Sequence, residues 1–222
     1  MPQPLQTERT TVRREPHRGV YDRETIYAIL DAGFVCHMGF VHDRHPFVIP
    51  TSCWRIDDHL YVHGSSASRM LRNLGGGLEV CVTVTFIDGL VLARSAFNHS
   101  VNYRSVVVLG KGTLLGTGEE KIAALQAFTE RLAPGRWNEI RYPNERELKA
   151  TSVFKVPLTE ASAKVRQGAP EDDADDYAVN CWAGVIPFET ICHPPVPDPN
   201  LREGIATPEY AAHYIGPGFA RK

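Results

Sequence analysis

The sequence predicts a mainly β protein: a closed antiparallel barrel with helices at its periphery. Two observations carry this reading. Runs such as Glu79–Phe86 (EVCVTVTF) and Tyr103–Leu115 (YRSVVVLGKGTLL) are rich in β-branched strand formers. The strands are joined mostly by tight-turn signals and do not alternate regularly with helices, which argues against a doubly wound sheet. A chain of 222 residues with 43% hydrophobic content suits one large domain, or a smaller domain with additions.

Each element has a local cause. Asp22 can cap a helix running to Ala32, with Ile26, Ile29 and Leu30 as its apolar stripe and Gly33 as its stop. Phe34–Val41 reads as a strand. His42-Asp43-Arg44-His45 turns it into a second strand, Pro46–Ile56, and Asp57-Asp58 turns that into Leu60–His63. A short basic helix follows, and Gly75-Gly76-Gly77 breaks the chain. After Glu79–Phe86, Asp88-Gly89 is a turn signal leading into Leu90–Ala93. Gly110 and Gly112 inside the long Tyr103–Leu115 strand suggest a bulge or a barrel corner.

Thr117 with Glu120 is a capping box for a helix ending near Leu132, with Ile122, Leu125, Phe128 and Leu132 on one face. Asn144 with Glu147 is a second capping box. Val153–Leu158 and Ala161–Arg166 are further strands, and Trp182–Phe188 (WAGVIPF) reads as a last buried one. Glu171–Asp176 reads as a solvated acidic segment. The reading divides the chain into a polar arm (1–19), a barrel domain (20–192) and a proline-rich arm (193–222) that hugs the surface.

Composition excludes several function classes. A net charge of −2 gives no global field for nucleic acid. No run approaches the ~20 apolar residues of a membrane span, and the N-terminal stretch lacks the apolar core of a secretory signal. The five cysteines form no CxxC motif, so the expectation is reduced thiols in the cytoplasm, mostly buried and without a disulfide. Nine histidines raise a metal question, but His42 and His45 lie in a turn and the Cys-His pairs are adjacent in sequence, so no metal site is expected. Gly110–Gly116 has the wrong spacing and context for a dinucleotide fingerprint, and no P-loop, GxSxG or HExxH occurs.

The stretch Pro46–Leu74 is the most informative. His63-Gly64-Ser65-Ser66 opens the basic helix, where free N–H groups, hydroxyls from Ser65, Ser66 and Ser68, and Arg69 and Arg72 one turn apart could hold a phosphate. An ordinary capped surface helix would carry the same residues.

Three blocks together resemble the pyridoxamine 5′-phosphate oxidase-like, FMN-binding split-barrel superfamily. They are His45–Arg72, Arg94–Gly110 (RSAFNHSVNYRSVVVLG) and Trp182–Pro187 (WAGVIP). Within the superfamily the chain is most similar to the flavin-nucleotide-binding proteins grouped with nitroimidazole reductases. The resemblance implies a six-stranded antiparallel split barrel, a homodimer, and FMN at the dimer interface. It implies that Val48, Ile49, Pro50, Thr51 and Ser52 line the flavin ring. His63, Ser65, Ser68 and Arg69 would hold ribityl and phosphate. Tyr103, Arg104 and Ser105 would approach the flavin from the barrel floor, with Trp182 a late aromatic near the cleft. Arg104, in a strand facing the barrel interior, needs an anion or a partner. Pro46 and Pro50 depart from the vitamin oxidases, and the residues that bind their substrate have no clear match.

The function expected is therefore that of a flavin-dependent oxidoreductase acting on a small molecule, with no side chain singled out as catalytic. A non-enzymatic flavin-storage protein, or a split barrel holding deazaflavin or haem, are the alternatives.

Overall fold

The computed structural model describes residues 4–68, 77–116 and 118–221. Its strands are β1 (Gly19–Val20), β2 (Val35–His42), β3 (His45–Ile56), β4 (His59–Ser65), β5 (Glu79–Leu92), β6 (Ser100–Lys111), β7 (Thr113–Leu114), β8 (Thr151–Pro157), β9 (Ala161–Arg166) and β10 (Gly184–Pro187), with a small pair β11 (Ile191–Cys192) and β12 (Ala220–Arg221). Hydrogen-bonded neighbours follow the order β1-β9-β6-β5-β2-β3-β4-β8-β7, with β10 added to β5. The pairings within this sheet are antiparallel. The fold is thus mainly β, as the sequence predicts.

Closure depends on Gly112. The chain bends there, so β6 continues as β7 and pairs with β8. A Cβ at Gly112 would lie 2.0 Å from the Phe154 ring, so the corner can form only without a side chain. The ring β2-β3-β4-β8-β7/β6-β5 then encloses Met38, Phe40, Leu60, Val62, Val82, Val106, Val108 and Phe154. Each such side chain, buried, contributes roughly 1.5–3 kcal/mol of hydrophobic stabilisation.

Turn chemistry acts locally. Asp43 and Arg44 both take positive φ, 48° and 63°, the backbone that a two-residue hairpin loop requires. Asp22 caps the Arg23–Ala32 helix through Thr25 N at 2.8 Å. The Asn144–Glu147 capping box forms in both directions at the head of the Glu145–Ala150 helix.

Several expectations are corrected. Gly33 closes its helix at φ −90°, so it is not chosen for a left-handed cap. Its added Cβ would sit 2.7 Å from Val84, and close packing is the reason for glycine. Asp88-Gly89 is not a hairpin turn. β5 runs unbroken to Leu92 with a register shift between Ile87 and Gly89, and a Cβ added at Gly89 would lie 2.7 Å from the Ile186 carbonyl of β10, so close strand packing accounts for the glycine.

The Glu119–Leu132 helix turns a different face inward from the expected one. Lys121 and Ala124 are buried while Ile122 and Leu132 are exposed, although Leu125 and Phe128 do pack on Trp54 and its neighbours. Its expected cap, Thr117, lies outside the described residues, and Gly118 occupies the cap position.

Asp172 in the acidic segment is not solvated. Its carboxylate has no exposed surface and accepts from Arg94 N and Arg94 Nη1 at 2.8 and 2.9 Å. Trp182 and β10 form an exposed edge rather than a buried strand. Of the cysteines, all free, only Cys36 and Cys53 are fully buried; Cys181 is exposed.

Both ends of the chain dock. Leu5 is buried in the main core and hydrogen-bonds Tyr21 and Ala161 through its backbone. The tail lies along the Glu119–Leu132 helix, leaving an apolar hollow of about 670 Å³ lined by Leu132, Ile140, Leu201 and Ile205. No helix among the described residues is long and apolar enough to cross a membrane.

Candidate functional site

The site begins with a divergence of two strands. β3 pairs with β2 from His45 to Ser52, but with β4 only from Cys53 to Ile56. β4 meanwhile pairs with β8 along its full length. Beyond the Cys53–Val62 pair, β3 and β4 therefore part, and among the described residues no strand lies beside the edge of β3 that faced β4 over Ile49–Ser52. Such an edge offers backbone donors and acceptors to a ligand. The Thr51 hydroxyl spans the gap to the His63 carbonyl at 3.4 Å. Of the expected site residues, Thr51 and His63 are joined directly across this opening; Val48, Ile49, Pro50 and Ser52 flank Thr51 along β3, and Ser65 and Ser68 follow His63 in the chain.

The far bank of the opening is the loop Ser65–Ser68. Its N–H groups are largely engaged within the protein. Ser66 N donates to the Ala150 carbonyl and Ser68 N to the Ser65 carbonyl, both at 2.8 Å, and Ala67 N donates to Ser65 Oγ at 3.2 Å. An anion here would rest on hydroxyls and on the cations that follow rather than on these amides. Arg69 and Arg72, and the basic helix expected to carry them, lie outside the described residues.

His63 stands between the two. Its ring lies 4.6 Å from that of Phe128 and 5.5 Å from that of Trp54. Burial in this aromatic setting lowers its pKa and favours the neutral imidazole. His63 Nδ1 and Trp54 Nε1 are both buried without a hydrogen-bond partner. A charged imidazolium is disfavoured by this burial. A neutral ring offering one unpaired nitrogen fits the surroundings.

The remaining candidates lie elsewhere in the protomer. Tyr103, Arg104 and Ser105 are on β6, three strands from β3 and so roughly 14 Å across the sheet. Arg104 finds its partner in Asp88 and also stacks over Phe86 at 5.0 Å. The Ser105 hydroxyl donates to the Lys164 carbonyl at 3.2 Å. Trp182 is two-thirds exposed and packs on Gly184, at the edge formed by β10. One chain therefore presents two separate groups of the expected site residues.

The outer face of β2 and β3 is apolar and uncovered. Val35, Val41 and Val48 are 51%, 56% and 68% exposed, with Pro46 and Pro50 beside them. Lys121 is a feature that sequence reasoning missed. It is a buried cation on the helix over β4, and a lysine in an amphipathic helix gives no local signal of burial.

The chain belongs to the pyridoxamine 5′-phosphate oxidase family, whose model matches residues 22–165. Among solved structures, it is similar to the flavocytochrome Anf3 from Azotobacter vinelandii. The identity is 42% over 95% of this chain and 97% of that chain, with a TM-score of 0.89. It is also similar to a FAD and haem binding protein from Mycobacterium smegmatis, at 34% identity over 87% of this chain and 95% of that one, with a TM-score of 0.82. A 5-nitroimidazole antibiotic resistance protein from Bacteroides thetaiotaomicron, at 22% identity, 66% and 86% coverage and a TM-score of 0.52, shares the fold. A comparison with curated proteins returns no match.

Proposed function

We propose that this chain is a flavin-binding redox protein working as a homodimer. The observation that carries the reading is the parting of β3 from β4, which leaves a bare strand edge opposite a serine-rich loop. A flavin bound there supplies hydride or electron transfer at its ring. The Ile49–Ser52 edge would give backbone hydrogen bonds to the ring. Ser65, Ser68 and Arg69 would take the phosphate, and the neutral His63 would offer an unpaired nitrogen to the ribityl chain or to a substrate.

A second copy explains the separated candidates. A two-fold partner seated on the apolar β2–β3 face would cover Val35, Val41 and Val48. It would also bring its Trp182 and its β6 residues toward the first protomer's opening. The two docked arms would extend that contact. Chemistry on a small molecule through such a flavin is an oxidoreductase reading; flavin storage would use the same groove without a reductant.

The choice of flavin is open to direct test. The motif expectation is FMN. The relatives of 34% and 42% identity are named for FAD and haem, or as a flavocytochrome, and they favour a larger flavin with haem beside it. The nine histidines include enough candidates for an axial ligand, and the structure singles none out.

An absorbance spectrum of the purified protein tests the whole reading. A flavin spectrum is expected, with an added Soret band if haem is present, and chromatography of the heat-released flavin separates FMN from FAD. Bleaching by NAD(P)H supports the reductase over storage. A colourless protein that takes up neither added FMN nor FAD overturns the reading.

A further inference from the structure

We infer that the hollow between the β5 bulge and the C-terminal tail is a binding site for a small protonated amine. The site belongs to one protomer and does not depend on a bound flavin.

The hollow has a volume of about 320 Å³, at the small end of ligand pockets. Its floor is the β5 bulge, with Phe86 and Asp88, and Arg104 beside them on β6. One wall is the chain leaving β10. Phe188 N donates to the Asp88 carbonyl at 3.0 Å, which holds this segment against the bulge and sets Glu189 and Thr190 on the rim. The opposite wall is Gly218 and Phe219 of the tail. Gly218 has φ 75°, and a Cβ added to it would lie 2.8 Å from the Ala32 Cβ, so only glycine lets the tail come this close. Phe219 packs on Phe34 with ring centroids 5.7 Å apart. Just beyond the two walls, Ile191 of β11 pairs with Ala220 of β12 and ties them together.

Charge selects the ligand. The ionisable groups that line the hollow are Asp88, Arg104 and Glu189. Asp88 and Arg104 neutralise each other through two hydrogen bonds, at 2.9 and 2.8 Å. Glu189 is exposed and has no hydrogen bond or ion pair among the described residues. Two carboxylates against one guanidinium leave the lining with one net negative charge. The rings of Phe86, Phe188 and Phe219 line the same space. Phe86 already carries a cation, with the Arg104 guanidinium over its ring at 5.0 Å.

An ammonium group answers each of these features. It donates charge-assisted hydrogen bonds to the Glu189 carboxylate and the Thr190 hydroxyl, and its apolar body lies against the rings. A divalent metal ion needs about six oxygen ligands, and no group of three His, Cys, Asp or Glu placed to hold one occurs among the described residues. An anion would meet Glu189 and an arginine already engaged by Asp88.

The test is calorimetric titration of the purified protein with two probes. One is phenethylamine, protonated at pH 7.4; the other is 2-phenylethanol, which has a hydroxyl in place of the ammonium. Wild type is expected to bind the amine about tenfold more tightly, the worth of one charge-assisted hydrogen bond. Glu189→Gln is expected to abolish that preference without lowering the melting temperature, because the side chain is exposed. Thr190→Val, a second variant on the same rim, is expected to weaken the amine more than the alcohol. Glu203→Gln alters an exposed carboxylate that does not line the hollow and is expected to change nothing.

Equal affinity for amine and alcohol, or no binding of the amine at millimolar concentration, overturns the inference. So does an amine that binds Glu189→Gln and Thr190→Val as tightly as wild type, since it then sits elsewhere. If Glu203→Gln weakens the amine as much as Glu189→Gln, only overall charge matters and the inference falls again. None of these outcomes touches the flavin reading, which stands or falls on the absorbance spectrum.

Discussion

The Arg104 guanidinium meets the Asp88 carboxylate in a two-pronged pair, Nε to Oδ2 at 2.9 Å and Nη2 to Oδ1 at 2.8 Å. The partner that a charged side chain in this strand requires is thus a residue of the same sheet. It sits at the β5 bulge, opposite β6. The Asp88 carboxylate raises the Arg104 pKa further.

Breaking that pair from one side should cost more than removing both charges. Asp88→Ala leaves a half-buried guanidinium without its carboxylate and is expected to destabilise by about 1–3 kcal/mol. Arg104→Leu combined with Asp88→Ala is expected to recover part of that loss. Chemical denaturation of the two single variants and the double one gives the coupling directly; zero coupling would show that the pair is only a surface contact.

Gly112 should tolerate no side chain. Gly112→Ala drives a Cβ into the Phe154 ring and is expected to cost about 3 kcal/mol or more. That lowers the melting temperature by roughly 5 °C or more in a chain of this size. Gly110→Ala meets Val156 at 3.3 Å and is expected to cost clearly less. Equal melting temperatures for the two variants would contradict closure at Gly112.

His63 should weaken the fold on the acid side. Its pKa is lowered by burial in the folded state, against an unfolded value of about 6.5. The unfolded chain therefore binds the extra proton first. Stability is fullest above pH ~6.5 and falls as pH drops from there through the folded-state pKa. His63→Phe is expected to show a shallower loss between pH 7.5 and pH 5 in melting experiments. A wild-type and variant pair with parallel pH profiles would rule out this contribution.

Dimerisation should depend on the outer face of β2 and β3. Light scattering is expected to give twice the 24.7 kDa of one chain. Val41→Asp, a charge placed on a residue that is 56% exposed in the lone protomer, is expected to shift the protein toward monomer with little effect on its melting. A wild-type monomer at micromolar concentration, or an unaffected Val41→Asp dimer, would remove this face as the interface.

Much of the fold was legible because its causes are local. Asp22, the Asp43-Arg44 loop and the Asn144–Glu147 box act through neighbours a few residues away, and each performs as its chemistry predicts. The candidate site was legible only in part. Val48–Ser52 and His63–Ser68 are near in sequence and meet across one hairpin. Arg104 was read as needing an anion or a partner, and that Asp88 is this partner depends on the register of β5 against β6.

Residue pattern alone was enough for most of the strands, the Asp22 and Asn144 caps and the family to which the chain belongs. Folding in three dimensions settled that Asp88-Gly89 is a bulge, that the Asp172 side chain is buried against Arg94 78 residues away, and that Lys121 lies inside the protein with no carboxylate beside it among the described residues. The physical reason is one of range. Propensity and capping are settled within a turn or two of chain, whereas the burial and pairing of a charge depend on which distant strand or helix the closed barrel sets beside it.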